Sequence, residues 1–156
     1  MTSTDSRPLP ATYASVVFQG VDLDPELISA IMETSPTLSY KRGDTYRIKH
    51  EIRERQFGLW VYSTRNVVHS SSLKKHLAAL ERLVIGEFSQ WPNKTLAKIQ
   101  ALVNESDIKF RVDVFWYGTA DSELPEISRS FHYVVTEAGG TVETDFHRDG
   151  ETTQAA

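Results

Sequence analysis

Three residues near the end of the chain, Asp145, His147 and Asp149, alternate in sequence. On a β-strand, alternate residues share a face, so two carboxylates and an imidazole would stand within reach of one metal ion. The same spacing also describes the solvated face of an edge strand near a fraying end. A second set is basic: Lys41, Arg42, Arg47, Lys49, Arg53 and Arg55 fall in one short stretch, mixed with Asp44, Glu51 and Glu54. That stretch reads either as a solvated hairpin laced with weak ion pairs or as a docking surface for an acidic protein or a phosphate-bearing ligand.

Other catalytic constellations are missing from the pattern. His50, His69, His76 and His132 are scattered, and His76 and His132 border apolar helix faces as partly buried structural histidines do. No serine stands in a Gly-x-Ser-x-Gly elbow, no glycine-rich loop cradles phosphate, and no His-Glu-x-x-His pair occurs. Glu51 and Glu54 lie three apart in a strand or turn and need not face each other. The chain has no cysteine, which removes disulfides, thiolate nucleophiles and cysteine-held metals. No catalytic residue, cofactor or metal ligand is therefore assigned. Among the aromatics, Trp60 and Trp116 read as core, while Phe115 and Tyr117 fall on the face opposite Trp116 and line either a covered surface or a groove.

The 156 residues fit one domain, and 40% hydrophobic with 24% charged residues is ordinary for a globular protein. A net charge of -4 argues against a general nucleic-acid binder, since such proteins carry a basic excess. Residues 1–10 lack the apolar run of a signal peptide, and no window is apolar enough to cross a bilayer. The expectation is a cytoplasmic location with no membrane partner. Residues 1–12 read as a flexible N-terminal segment, 13–148 as a single α+β domain and 149–156 as a flexible tail.

The elements follow from periodicity and caps. A first strand occupies residues 14–18, and Asp24-Pro25-Glu26 opens a helix that closes at Ser35-Pro36. Gly43-Asp44 signals a turn, after which Tyr46, Ile48, His50 and Ile52 would share one strand face. Residues 57–64 read as a central strand, apolar on both faces. Ser70 to Ser72 then cap a helix whose Leu73, Leu77, Leu80, Val84 and Phe88 recur at helical spacing, until Trp91-Pro92 breaks it. A second helix runs over about 93–103, and a strand over 108–117. Ser122-Glu123-Leu124-Pro125-Glu126 opens another helix, Gly139-Gly140 stops it, and a last strand closes the domain. Strand, Gly, Pro-Glu-apolar and helix occur twice, at Pro25-Glu26-Leu27 and Pro125-Glu126-Ile127. The pattern predicts an antiparallel sheet with helices on one face, two β-α-β halves of a ferredoxin-like pseudo-duplicate joined by a helical insert.

The early strand, Asp24-Pro25-Glu26, Lys41-Arg42-Gly43-Asp44, Gly58-Leu59-Trp60 and the closing strand after Gly139-Gly140 together resemble the bacterial family called domain of unknown function 4279. The resemblance spans roughly residues 14–147. It implies a small cytosolic bacterial protein without assigned chemistry and carries over no catalytic residue. Residues 45–56 depart from it by being long and highly charged. The functional expectation is a non-enzymatic protein-interaction domain whose partner is an acidic protein or a toxin, as for an immunity protein, with homo-oligomers a further expectation through an exposed sheet edge. The alternative is a small-ligand sensor or an enzyme with a cleft between the sheet and the helical insert.

Overall fold

The computed structural model describes residues 12–86 and 94–150. Its elements are β1 (Tyr13–Gly20), α1 (Pro25–Met32), β2 (Leu38–Tyr40), β3 (Thr45–Ile48), β4 (Glu51–Glu54), β5 (Gly58–Ser63), α2 (Leu73–Ile85), α3 (Lys94–Glu105), β6 (Lys109–Gly118), α4 (Arg129–Glu137) and β7 (Thr141–Arg148). Five strands form one sheet in the order β2-β5-β1-β6-β7, and β3 and β4 form a separate two-stranded sheet. The fold is α+β with a mixed, mostly antiparallel sheet. β1 runs antiparallel to both β5 and β6, and β2 antiparallel to β5. β7 lies parallel to β6, the pairing that the return connection through α4 requires.

Alternation along the strands separates two faces. Ala14, Val16 and Phe18 of β1, Trp60 of β5, and Phe110, Val112, Val114 and Trp116 of β6 point inward. They pack with Ile28 and Met32 of α1, Leu77, Leu80 and Val84 of α2, Ile99 of α3 and Phe131, Val134 and Val135 of α4 in one core. The opposite face carries no helix among the described residues. There Val17 is still buried, because Val61 and Arg111 stand directly opposite it on the neighbouring strands.

Local chemistry explains the element ends. Asp24 accepts the Glu26 N–H at 3.1 Å and Pro25 fills the first helical position, as expected. α1 stops at Met32 rather than at Ser35-Pro36, because Glu33 turns left-handed (φ 52°). α2 stops at Gly86, whose φ of 83° suits a residue without Cβ. The expected continuation through Phe88 to Trp91-Pro92 lies outside the described residues. α4 begins later than expected: Ser128 caps it by accepting the Phe131 N–H at 3.1 Å, and residues 122–128 are not helical. Pro25 thus opens a helix while Pro125 precedes one, so the two Pro-Glu-apolar triplets play different parts. The pairing also differs between the halves: β5 stands between β1 and β2, whereas β6 and β7 are adjacent.

Two strand readings change. Residues 46–53 form not one strand but a hairpin that turns at Lys49 (φ 56°) and His50. Arg47 pairs with Ile52 and Ile48 with Glu51, so Ile48 and Ile52 fall on opposite faces of the ribbon instead of sharing one. β5 is one place off the sheet's centre, which β1 occupies, and only its Trp60 side is covered. Gly58 lets the loop after β1 lie close against β5: a Cβ there would stand 2.7 Å from the Leu23 carbonyl oxygen.

Candidate functional site

The hairpin of β3 and β4 gathers the basic residues on an exposed ribbon outside the main sheet. Ile48 is 42% and Ile52 68% exposed. The base is fixed in place. The Arg55 guanidinium lies 3.9 Å from the ring centre of Tyr40 and 3.9 Å from that of Tyr46, sandwiched between them. The Gly43 N–H donates to the Arg55 carbonyl at 2.9 Å, and the Arg55 N–H to the Asp44 carbonyl at 2.7 Å. Asp44 also accepts the Lys41 N–H at 2.9 Å, closing the turn that Gly43-Asp44 signals.

The six basic residues differ in what they contact. Arg42 pairs with Asp22 at 2.7 Å, and the Arg53 guanidinium donates twice to Glu51 Oε2, at 3.1 and 2.9 Å. Both pairs are exposed and contribute little to stability. Arg55 is engaged by its two tyrosines. Lys41, Arg47 and Lys49 are exposed, and none makes an ion pair among the described residues. A cleft of about 600 Å³ opens at the hairpin's base, between Lys41, Arg42 and Tyr40 on one side and Asp22, Asp24 and Glu26 on the other.

A second group of polar and aromatic side chains lies on the uncovered face of the main sheet. Tyr13 stacks on Phe115 with ring centres 5.4 Å apart, and Phe115 lies 5.5 Å from the His147 ring. His147 Nε2 stands 2.6 Å from Asp145 Oδ1. The Tyr117 hydroxyl donates to Asp149, and that bond raises the phenol above its ordinary range, with partial burial and the carboxylate's charge adding to it. Asp145, His147 and Asp149 therefore do not converge on one point: one carboxylate serves the imidazole and the other serves the phenol. Among the described residues, no three His, Cys, Asp or Glu side chains are grouped to hold a metal ion. A shallow cleft of about 250 Å³ beside this row is lined by Tyr13, Asp113, Phe115, Glu143 and Asp145.

The remaining histidines separate by environment. His50 is exposed at the hairpin turn and His132 on the outer side of α4. His76 is 1% exposed, with Nδ1 2.6 Å from Thr64 Oγ1 and Nε2 2.7 Å from the Ser70 carbonyl oxygen. A carbonyl only accepts, so Nε2 carries the proton there. Thr64 Oγ1 also accepts the Ala14 N–H at 3.0 Å, and the cluster ties α2 to the ends of β1 and β5. The sandwiching of Arg55 by Tyr40 and Tyr46 was not foreseen from the sequence; its only trace there is the set of aromatic residues flanking the charged stretch.

The fold and its surfaces define a class: an α+β domain with one helix-covered sheet face and a charged hairpin held outside the core. None of its helices among the described residues is long and apolar enough to cross a membrane. The family model described as Domain of unknown function (DUF4279) matches residues 10–148 of the chain, and the chain belongs to that family. No curated protein and no solved structure matches it.

Proposed function

We propose that this chain is a non-enzymatic protein-interaction domain that docks an acidic partner surface through the β3–β4 hairpin. One observation supports the reading: a ribbon braced at its base by Arg55 exposes Ile52 directly opposite Arg47 on one face, with Lys49 at its turn. Exposed apolar side chains flanked by cations suit a partner that offers an apolar contact and carboxylates together. Lys41, Arg47 and Lys49 supply charge to the partner. Arg55 braces the arm between the two tyrosines, while Arg42 and Arg53 are paired with Asp22 and Glu51. A bacterial immunity protein that neutralises a toxin is one form of this function, and it rests on general analogy with small acidic α+β domains.

The test is co-purification from the native host with wild-type protein and with an Arg47→Glu, Lys49→Glu, Ile52→Asp variant. The reading expects a stoichiometric partner that the wild type retains, that salt weakens and that the variant loses while keeping its fold. A partner retained equally by both, or held independently of salt, contradicts it.

A second reading, small-ligand binding, is favoured by the His147–Asp145 pair beside Phe115 on the uncovered sheet face. It expects a metabolite that raises the melting temperature of the wild type and not of His147→Ala. Equal shifts in both proteins remove it.

A further inference from the structure

We propose that the acidic surface on which the hairpin docks belongs to a second copy of this chain: the hairpin of one copy seats in the cleft beside Phe115 on the uncovered sheet face of the next. The inference rests on the hairpin reading above and names its partner. Across β1, β6 and β7 the register sets Tyr13, Phe115 and Asp145 in one row and Ser15, Asp113 and Glu143 in the next. The shallow cleft of about 250 Å³ opens over these rows, lined by the stacked, half-buried rings of Tyr13 and Phe115 and by three carboxylates. An apolar contact with carboxylates beside it is what Ile52 and Arg47, directly opposite each other on one hairpin face, are suited to meet.

The charges around the cleft leave its β7 side acidic. Asp113 is engaged by Arg111 at 2.9 Å, whose guanidinium also reaches Gln19. Asp145 meets the His147 ring and neither Lys nor Arg, and Glu143 makes no ion pair among the described residues. Arg65 lies 5.5 Å from the Tyr13 ring centre, but it follows β5 and so approaches from the side of β1 away from β7. Lys109 stands at the other end of β6. Glu143 and Asp145 are thus carboxylates without Lys or Arg, as Arg47 and Lys49 are cations without a carboxylate.

A chain cannot seat its own hairpin there. The hairpin leaves the sheet where Tyr40 pairs with Leu59 and Gly58 with Gly20, at the end of β1 opposite Tyr13. β1 has eight residues, about 26 Å, while each hairpin strand has four, about 13 Å. The hairpin's base is also pinned by Arg55 between Tyr40 and Tyr46, and β2 beside it and β7 beside the cleft are opposite edges of the sheet. Two different patches meet in such a contact, so copies add head to tail. The contact is small and exposed, so association is weak, reversible and sensitive to salt.

Sedimentation of the full chain from about low micromolar to hundreds of micromolar, at low and high salt, tests this with two variants. Arg47→Gln, Lys49→Gln, Ile52→Ser removes the hairpin surface, and Glu143→Gln, Asp145→Asn removes the cleft's free carboxylates. All these positions are exposed, and circular dichroism with thermal melting confirms that each variant is folded. The wild type is expected to gain mass with concentration, and less so at high salt. Each variant alone stays a monomer. Mixed, they form a one-to-one pair that grows no further, because the pair holds one intact hairpin and one intact cleft and uses both. A wild type that is a monomer at every concentration, a variant that associates alone as the wild type does, or no pair on mixing overturns the proposal. Its failure is distinct from failure of the hairpin reading: a monomeric wild type that captures a host partner, lost with the charge-reversed hairpin, removes the second copy and keeps the docking.

Discussion

Trp60 joins three parts of the fold through one side chain. Its indole is fully buried, lies edge-on to Phe18 with ring centres 5.8 Å apart, and donates its ring N–H to Ser29 Oγ at 3.0 Å. Trp60→Ala removes that packing and leaves a cavity; urea unfolding is expected to show a loss of about 3–5 kcal/mol. His76 is a second case of a polar group placed inside the core with partners on both nitrogens. His76→Ala removes the partner of the Ser70 carbonyl and leaves a gap beside Thr64, whose hydroxyl keeps the Ala14 backbone; the expected cost is about 1–3 kcal/mol by the same measurement. Tyr117 is the titration case. Its raised pKa means the neutral phenol is favoured in the folded chain, so that contribution is present below the ordinary phenol range and is lost as pH rises through the raised value. Asp149→Asn removes the acceptor carboxylate's charge, and phenolate absorbance is expected to show one tyrosine titrating at lower pH. At this scale the sequence told the type of environment and not the partners. Trp60 reads as core from strand alternation, but Ser29 lies 31 residues away and no local pattern points to it. The alternation of Asp145, His147 and Asp149 is real, yet Tyr117 on the neighbouring strand draws Asp149 away, and that strand's register is invisible in a local reading.

Elements were legible where periodicity ran long and ambiguous where caps competed. α2 follows its leucine spacing, and β6 alternates along its whole length. The start of α4 shows the competition. Ser122 and Ser128 are both good caps; Ser128 is the one that accepts a helix N–H, and Pro125 lies between them in non-helical chain. Ser128→Ala is expected to cost about 1 kcal/mol in thermal or urea unfolding, a loss that Ser122→Ala would not reproduce if Ser128 alone caps the helix. The charged stretch shows the opposite failure. Its alternation suggested one strand, but a positive φ at Lys49 folds it back, and a single reversal sends Ile48 and Ile52 to opposite faces. The six basic residues were legible as charge; their division into braced and exposed sets depends on Asp22, Tyr40 and Tyr46, which pattern alone does not place beside them. Arg55→Ala removes both ring contacts, and amide hydrogen exchange in the hairpin is expected to accelerate while that in β1 and β6 stays unchanged.

The whole molecule is asymmetric. Among the described residues, one sheet face carries four helices and the core, and the other leaves Tyr13, Phe115 and His147 partly exposed. Sheet order was the least legible feature, because β1 pairs with strands more than forty residues later in the chain, Val17 with Val61 and with Arg111. The family match covers residues 10–148, nearly the whole domain. The hairpin stands outside the core, so its loss of charge is expected to leave stability within about 0.5 kcal/mol while abolishing partner capture. Hydrogen exchange of the wild-type chain, free and in its purified complex, tests the docking claim most directly. Amides of residues 45–54 are expected to gain protection on binding while those of the helix-covered core do not change. Protection confined to the helices, or to the uncovered sheet face around Phe115 with the hairpin unaltered, would contradict it.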